Sequence, residues 1–217
     1  MTVLAPTELV RALTAVASTL EDSSDELNRL DGYAGDGDLG ITMSEAARAL
    51  KDVLATDKDM EAPQLLSTCG ATIARRAPST SGTLIATGFL RAAKAVGEDA
   101  GDGVEALERA FAAAAAGIQA RGKAAVGDRT LVDGLDAVCT SLRESVGAGR
   151  SLGETLRSAA AAASAAADKT VDMEPKVGRA SWVPQRAIGH PDAGCAMLAM
   201  ALRAAAAEVI AGPGAAG

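Results

Sequence analysis

Leu9, Leu13, Val16 and Leu20 recur at three- and four-residue intervals behind Thr7, a residue suited to capping a helix. The spacing predicts a first helix that runs on to Leu27 or Leu30. After an interruption rich in Asp and Gly, Ala46, Leu50, Val53 and Leu54 share one side of a second helix, Met43 to Leu54. Pro63 fits the first turn of a third, which reaches about Arg76. The stretch "APSTSGT" (77–83) breaks the pattern, and Thr80 or Ser81 would cap a fourth helix that Gly97 ends. Asp102 to Ala120 gives a fifth. Beyond "RGKAAVGD" (121–128), Thr130 opens a sixth helix, with Asp133 at capping-box spacing. Ser151 and Glu154 repeat that pattern for a seventh, which continues through "SAAAAASAAAD". Residues 174–191, with Pro175, Pro184 and Pro191, read as an irregular loop. Asp192 then caps an eighth helix that extends to about Ile210. The ends, about 1–6 and 211–217, are expected to fray.

Eight helices, no alternating strand pattern and no break in composition predict one all-α domain over residues 1–217. Composition sharpens this. Hydrophobic residues make up 48% of the chain but aromatics only 2%, so the apolar mass is Ala, Leu and Val, which favours packed helices. The alanine runs read as surfaces for close helix–helix approach, because Leu107, Phe111, Leu152 and Leu156 flank them at helical spacing. A net charge of −7 argues against nucleic acid as the main partner, although a bound metal could reverse the sign locally for the phosphates of a small ligand. Cys69, Cys139 and Cys195 are scattered and lack C-x-x-C spacing, as expected of buried thiols in a reducing compartment. The N-terminus "MTVLAPTELVRAL" has no signal-peptide pattern, and no apolar run is expected to span a membrane. A cytoplasmic location follows.

The candidate chemistry centres on "LDGYAGDGDLGITM" (30–43). Asp31, Asp36 and Asp38 are crowded among Gly32, Gly35 and Gly37. Such a turn is either a solvated acidic loop or a cation site. An EF-hand is excluded, because twelve-residue loops begun at these three acids end on Thr42, Ala47 or Ala49 instead of Glu. A Mg²⁺ site shared with a phosphate ligand fits, since Mg²⁺ takes carboxylate and phosphate oxygens and the glycines allow tight turns. "GIQARGKA" (117–124) nearly matches a P-loop, but Ala124 replaces the required hydroxyl and the segment follows a helix rather than a strand, so it reads as coincidence. "STSGT" (79–83), at a predicted helix start, is either an ordinary cap or a phosphate cradle. Arg179 has the right shape for phosphate. His190, the only histidine, reads as a structural hydrogen-bonding residue.

The order of the motifs is more specific than any one of them. "LDxxxGDGDxG", "SxSG", "RGKAxxGDxTLVD" and "GRASxxxxRxIGHxDxG" follow one another along the chain. Over about Leu27 to Arg203 this resembles the nucleotide-binding L subunit, or L domain, of dihydroxyacetone kinases. The resemblance implies an antiparallel, eight-helix closed barrel with ADP or ATP at one end. It implies that Asp31, Asp36 and Asp38 hold two Mg²⁺ ions against the nucleotide phosphates. Leu39, Gly40, Ile41 and Thr42, by backbone and side chain, and Thr80 and Ser81 would contact phosphate or ribose. Gly122, Leu131, Arg179, Asp192, Ala193 and Gly194 would complete the pocket.

The chain departs from that pattern where relatives carry His in place of Leu39 and Asn in place of Thr42. "APST" also replaces a glycine-rich lead into the SxSG turn. A His could bond a phosphate oxygen and Leu cannot, so Leu39 implies looser nucleotide binding, of the kind that suits exchange of ADP for ATP. The resemblance further implies a kinase subunit that needs a separate K subunit, whose histidine holds a small hydroxyketone. The donor would be ATP, or bound ADP rephosphorylated through a phosphotransfer subunit. A homodimer is compatible with this. The competing expectation is a nucleotide-binding regulatory module that contacts a transcriptional regulator.

Overall fold

The computed structural model describes residues 6–56, 60–98 and 103–212. Among them the chain is almost entirely helical: α1 (Pro6–Asp22), α2 (Ser24–Asp31), α3 (Leu39–Thr56), α4 (Ala62–Arg76), α5 (Thr80–Glu98), α6 (Gly103–Gly122), α7 (Leu131–Gly147), α8 (Leu152–Lys169), the short α9 (Pro184–Ala187) and α10 (Ala193–Ala211). The eight long helices match the eight read from hydrophobic spacing. Both expected capping boxes are formed, Thr130 with Asp133 and Ser151 with Glu154.

Three boundaries differ from expectation. The first helix breaks at Ser23, whose ψ of 11° turns the chain between α1 and α2. The run Asp22-Ser23-Ser24-Asp25 supplies side chains that compete for backbone bonds and weaken a helix interior. The second helix starts four residues early, at Leu39, with Thr42 N–H already bonded to Asp38 C=O. The fourth is capped by Ser79 rather than by Thr80 or Ser81: its Oγ accepts Gly82 N–H at 3.0 Å and its C=O accepts Thr83 N–H at 2.9 Å. The irregular loop contains one 3₁₀ turn (Arg179–Trp182) and α9, and a second 3₁₀ turn, Thr170–Asp172, leads into it. Asp102 and most of the two expected frayed ends lie outside the described residues.

Each long helix packs on the next, α1 on α3, then α3 on α4 and so on to α8 on α10, and α10 returns to α1. The result is a closed ring. The short links at 77–79 and 148–151 force neighbouring helices to run in opposite directions. α10 is mostly apolar, with Arg203 and Glu208 its only charged residues, and is long enough to match a membrane span by length and composition, contrary to the expectation that no segment would be. The ring accounts for this, because α10 is covered by α1, α7 and α8.

The core has three parts. Leu50, Leu65, Cys69 and Ile73 join α3 and α4 to α1 and α5. Val138, Leu142, Ala159, Ala163 and Leu202 fill the space among α7, α8 and α10, where the small alanines let backbones approach as the runs predict. Leu20, Leu27, Leu39, Met43 and Met197 seal the end of the ring beneath the acidic turn. Burying one such leucine contributes about 1.5–3 kcal/mol. The three cysteines are free and buried; burial pushes Cys69 up to about 12 and Cys139 up to about 11, and raises Cys195 as well, so none is an activated thiol.

Candidate functional site

Up-and-down alternation sends every second connection to the same end of the ring. Residues 32–38, 77–79, 123–130 and 170–192 are those connections. They carry all four sequence motifs. Direct contacts join them. Thr42 Oγ1 donates to Ser79 Oγ at 3.2 Å, Lys176 N–H donates to Asp128 C=O at 3.1 Å, and Arg179 pairs with Asp36. The helices that leave this end, α3, α5, α7 and α10, all begin there, so four N-termini with their partial positive charges converge on one region. Such a region favours anions.

The acidic turn is built tightly. Asp31 C=O accepts Gly35 N–H at 2.6 Å, while its carboxylate Oδ2 accepts Gly37 N–H at 2.9 Å and Asp38 N–H at 3.1 Å. A Cβ on Gly35 would run into Asp31 Oδ1, and Gly37 has φ +77°, which explains the glycines of the motif. Carboxylate oxygens of Asp31, Asp36 and Asp38 come within 4.8 Å of one another. A Mg²⁺ octahedron with ligands at about 2.1 Å spans about 4.2 Å between opposite oxygens. The three acids therefore have the all-oxygen chemistry and the spacing to grip a divalent ion. Asp36 and Asp38 are exposed and accessible to a ligand. Arg179 answers Asp36 at present; with side chains 59% and 42% exposed, such a pair contributes only about 0–1 kcal/mol and is easily exchanged.

Behind the turn, Asn28 of α2 ties down α3. Its Oδ1 accepts Gly40 N–H at 2.7 Å and Ile41 N–H at 3.2 Å. A Cβ on Gly40 would run into Ser24 C=O, so this glycine permits the contact of α2 with α3. The fourth connection is anchored by Arg129, which is 4% exposed. Its Nε donates to Thr170 C=O at 2.9 Å, and its Nη2 donates to Ala187 C=O at 2.9 Å and His190 C=O at 2.8 Å. His190 stacks on Tyr33 of the acidic turn, ring centroids 3.3 Å apart and nearly parallel. Asp192 caps α10 by accepting Cys195 N–H at 2.9 Å; burial pushes its carboxyl up to about 6, against the pull of that N–H and of Arg129.

The residues expected at the site are thus brought to one end, with corrections in detail. Leu39 is buried, its side chain in the core against Leu27 and Met43, so it presents no side chain to a phosphate. The expected loosening of nucleotide binding would need the residue-39 side chain to face a phosphate, whereas Leu39 packs inward. The N–H groups of Gly40, Ile41 and Thr42 are engaged by Asn28 and Asp38, and Thr42 is buried against Ser79. Ile41 is exposed. Thr80 and Ser81 form the first turn of α5, where N–H groups lack helical partners. Ala193 is buried, while Gly194 abuts Leu131 so closely that an added Cβ would lie 3.1 Å from Leu131 Cβ. Gly122 ends α6, on the exposed surface. The P-loop look-alike lies on the C-terminal end of that helix, whose dipole repels phosphate, in line with the reading as coincidence.

Asn28, Tyr33, Ser79 and Arg129 were not among the expected site residues. Ser79 carried a signal, as one of three consecutive hydroxyl residues before Gly82. The other three are placed by contacts between distant parts of the chain.

Residues 33–207 match the family model described as the DAK2 domain. The chain is 34% identical over 191 residues to the PEP-dependent dihydroxyacetone kinase, ADP-binding subunit DhaL, of Escherichia coli (strain K12), covering 88% of this chain and 91% of that one. It is 32% identical to D-erythrulose kinase of Mycolicibacterium smegmatis over 91% of this chain, but spans only 34% of that longer protein. The dihydroxyacetone kinase of C. freundii in complex with AMP-PNP and Mg²⁺ superposes with a TM-score of 0.72 at 28% identity, over 91% of this chain and 33% of that one.

Proposed function

The chain belongs to the DAK2 domain family as a kinase subunit of the dihydroxyacetone kinase L type, and from that premise we propose that its acidic end grips ADP or ATP through Mg²⁺. The observation that carries this reading is the meeting of Asp31, Asp36 and Asp38 with four helix N-termini at one end of the ring. The metal, when bound, neutralises phosphate charge. The chain's own residues do the rest. The three carboxylates hold the ions on the side of the acidic turn. First-turn N–H groups at Thr80 and Ser81 would hold phosphate oxygens. Arg179, released from Asp36, offers its guanidinium to the transferring phosphoryl group. Leu131 and Asp192 to Gly194 form the wall that bounds the nucleotide.

The reaction is phosphoryl transfer to a primary hydroxyl of a small hydroxyketone held by a separate K subunit through a histidine. The donor is ATP, or bound ADP rephosphorylated by a phosphotransfer subunit. Two relatives support a second body: one is named as a subunit of about this length, and the other carries this region as a third of a longer kinase. A cytoplasmic setting is part of the same reading, with Cys69, Cys139 and Cys195 free.

The test is calorimetry of Mg·ADP with Asp36→Asn and Asp38→Asn combined. The double variant keeps shape and loses two charges. Its helical circular dichroism should persist while Mg²⁺-dependent ADP binding collapses. Unchanged ADP affinity would overturn the assignment.

A further inference from the structure

We propose that Arg129 is a positioning residue: it pinches the neck of the 170–192 loop and so holds Arg179 and His190 against the acidic turn. This inference rests on reading that turn as the Mg-nucleotide clamp.

Arg129 is an unusual residue to bury. It sits in the left-handed backbone region, φ +60°, immediately before the cap of α7. The residue is 4% exposed, and its guanidinium is answered by main-chain carbonyls. A buried cation is tolerated only where its N–H groups find acceptors. The acceptors here come from both limbs of one loop: Thr170 on the entering limb, Ala187 and His190 on the leaving limb. Between these limbs regular structure is slight, two 3₁₀ turns and the four residues of α9. Gly189 N–H to Val171 C=O, at 2.9 Å, is a further tie across the neck.

The geometry passes from there to the site. The tip of the pinched loop carries Arg179, which pairs with Asp36. The leaving limb carries His190, stacked on Tyr33 two residues from Asp31. One buried side chain of the third connection thereby fixes the fourth connection against the first. Lysine cannot substitute, because a single ammonium on a flexible stem does not offer donors at the separated Nε and Nη2 positions.

The test uses Arg129→Lys and Arg129→Gln in hydrogen exchange and in Mg·ADP calorimetry. The amides of Val183, Arg186, Gly189 and His190, bonded within the loop, should exchange about tenfold faster or more, the least expected from losing one charge-assisted hydrogen bond. Amides of α4 and α5 should keep the parent's rates. Emission of Trp182, the only tryptophan and 78% exposed in the same loop, should respond to Mg·ADP in the parent but not in the variants, and affinity should fall by about tenfold. Parent-like exchange in the loop would overturn the proposal. So would an equal rise across the chain, or loss of the helical signal in both variants, since the role would then be global. If the parent itself bound no Mg·ADP, the nucleotide reading would fall, while the exchange rates would still decide the role of Arg129.

Discussion

Replacing Asp192 with Asn should stabilise the protein at neutral pH and progressively less as the pH falls. Asp192 accepts Cys195 N–H at 2.9 Å, and its own N–H donates to Thr170 Oγ1 at 2.8 Å. Burial raises its carboxyl from an ordinary 3.8 to about 6. Between those two values the folded chain holds a proton that the unfolded chain has released, so stability falls as pH rises through that window. Below it both states are protonated and the group contributes nothing. Above it the fold carries the whole cost of a desolvated carboxylate. A displacement of about two pH units corresponds to at most about 3 kcal/mol, and partial exposure reduces this to roughly 1–2 kcal/mol. Asn caps a helix about as well as Asp and has no charge to desolvate. At pH 7.5 the variant should gain that roughly 1–2 kcal/mol, or about 2–8 °C in melting midpoint for a chain of this size. At pH 4.5, inside that window, the difference should shrink to about a third of its value at pH 7.5. The assay is urea and thermal unfolding of both proteins at both pH values. Other carboxylates titrate in the same range but cancel in the parent–variant difference. A difference that is the same at both pH values would refute the reasoning, as would a variant less stable than the parent at pH 7.5.

Given Mg·ATP and a short-chain ketose, the purified chain alone should make no sugar phosphate, and a cognate K subunit should restore turnover; robust turnover by the chain alone would sink the two-body reading. Gly40→Ala drives a Cβ into Ser24 C=O and should cost about 1–3 kcal/mol while displacing α3 from α2; an unchanged melting midpoint would count against that contact. Leu39→His places an imidazole in the core among Leu20, Leu27 and Met43, and should cost about 2–4 kcal/mol with no gain in ADP affinity. Tighter ADP binding with parent-like melting would show instead that the side chain at this position faces the phosphates.

What was legible in the sequence was local or periodic. Thr130 with Asp133 and Ser151 with Glu154 could be read because each box closes within one helical turn. The long helices could be read because the ring buries one side of most of them at regular spacing. The start of α3 could not. Gly40 is disfavoured inside a helix on intrinsic grounds and is required there by the passage of Ser24, a contact between two helices. The choice of Ser79 over Thr80 and Ser81 as a cap is likewise geometric, since all three carry a suitable hydroxyl. Arg129 looks like a solvated loop residue in "GDRT"; its burial comes from a segment more than forty positions further on, as its bond to Thr170 at a separation of 41 shows. Leu39 shows the limit of carrying a residue's role across by position alone. The position adjoins the acidic turn, but the side chain belongs to the core.

The order of the four motifs was informative for a topological reason. Two long helices separate each motif from the next, one leading away from the site end and one leading back. In an up-and-down ring, elements separated by an even number of helices must return to the same end. Four such returns bring four connections together and leave four helices departing, each with its N-terminus at that end. The sequence therefore places three carboxylates inside an environment that is otherwise biased towards anions. A carboxylate cluster alone would repel a nucleotide phosphate. A ring of N-termini alone would bind any small anion. Joined through a divalent cation, as proposed, the two would become selective, because the ion would satisfy the acids and the phosphate would satisfy both the ion and the helix ends. Arg179 rests on Asp36 at the edge of the same balance, in a half-exposed pair that contributes only about 0–1 kcal/mol and that a stronger cation would displace.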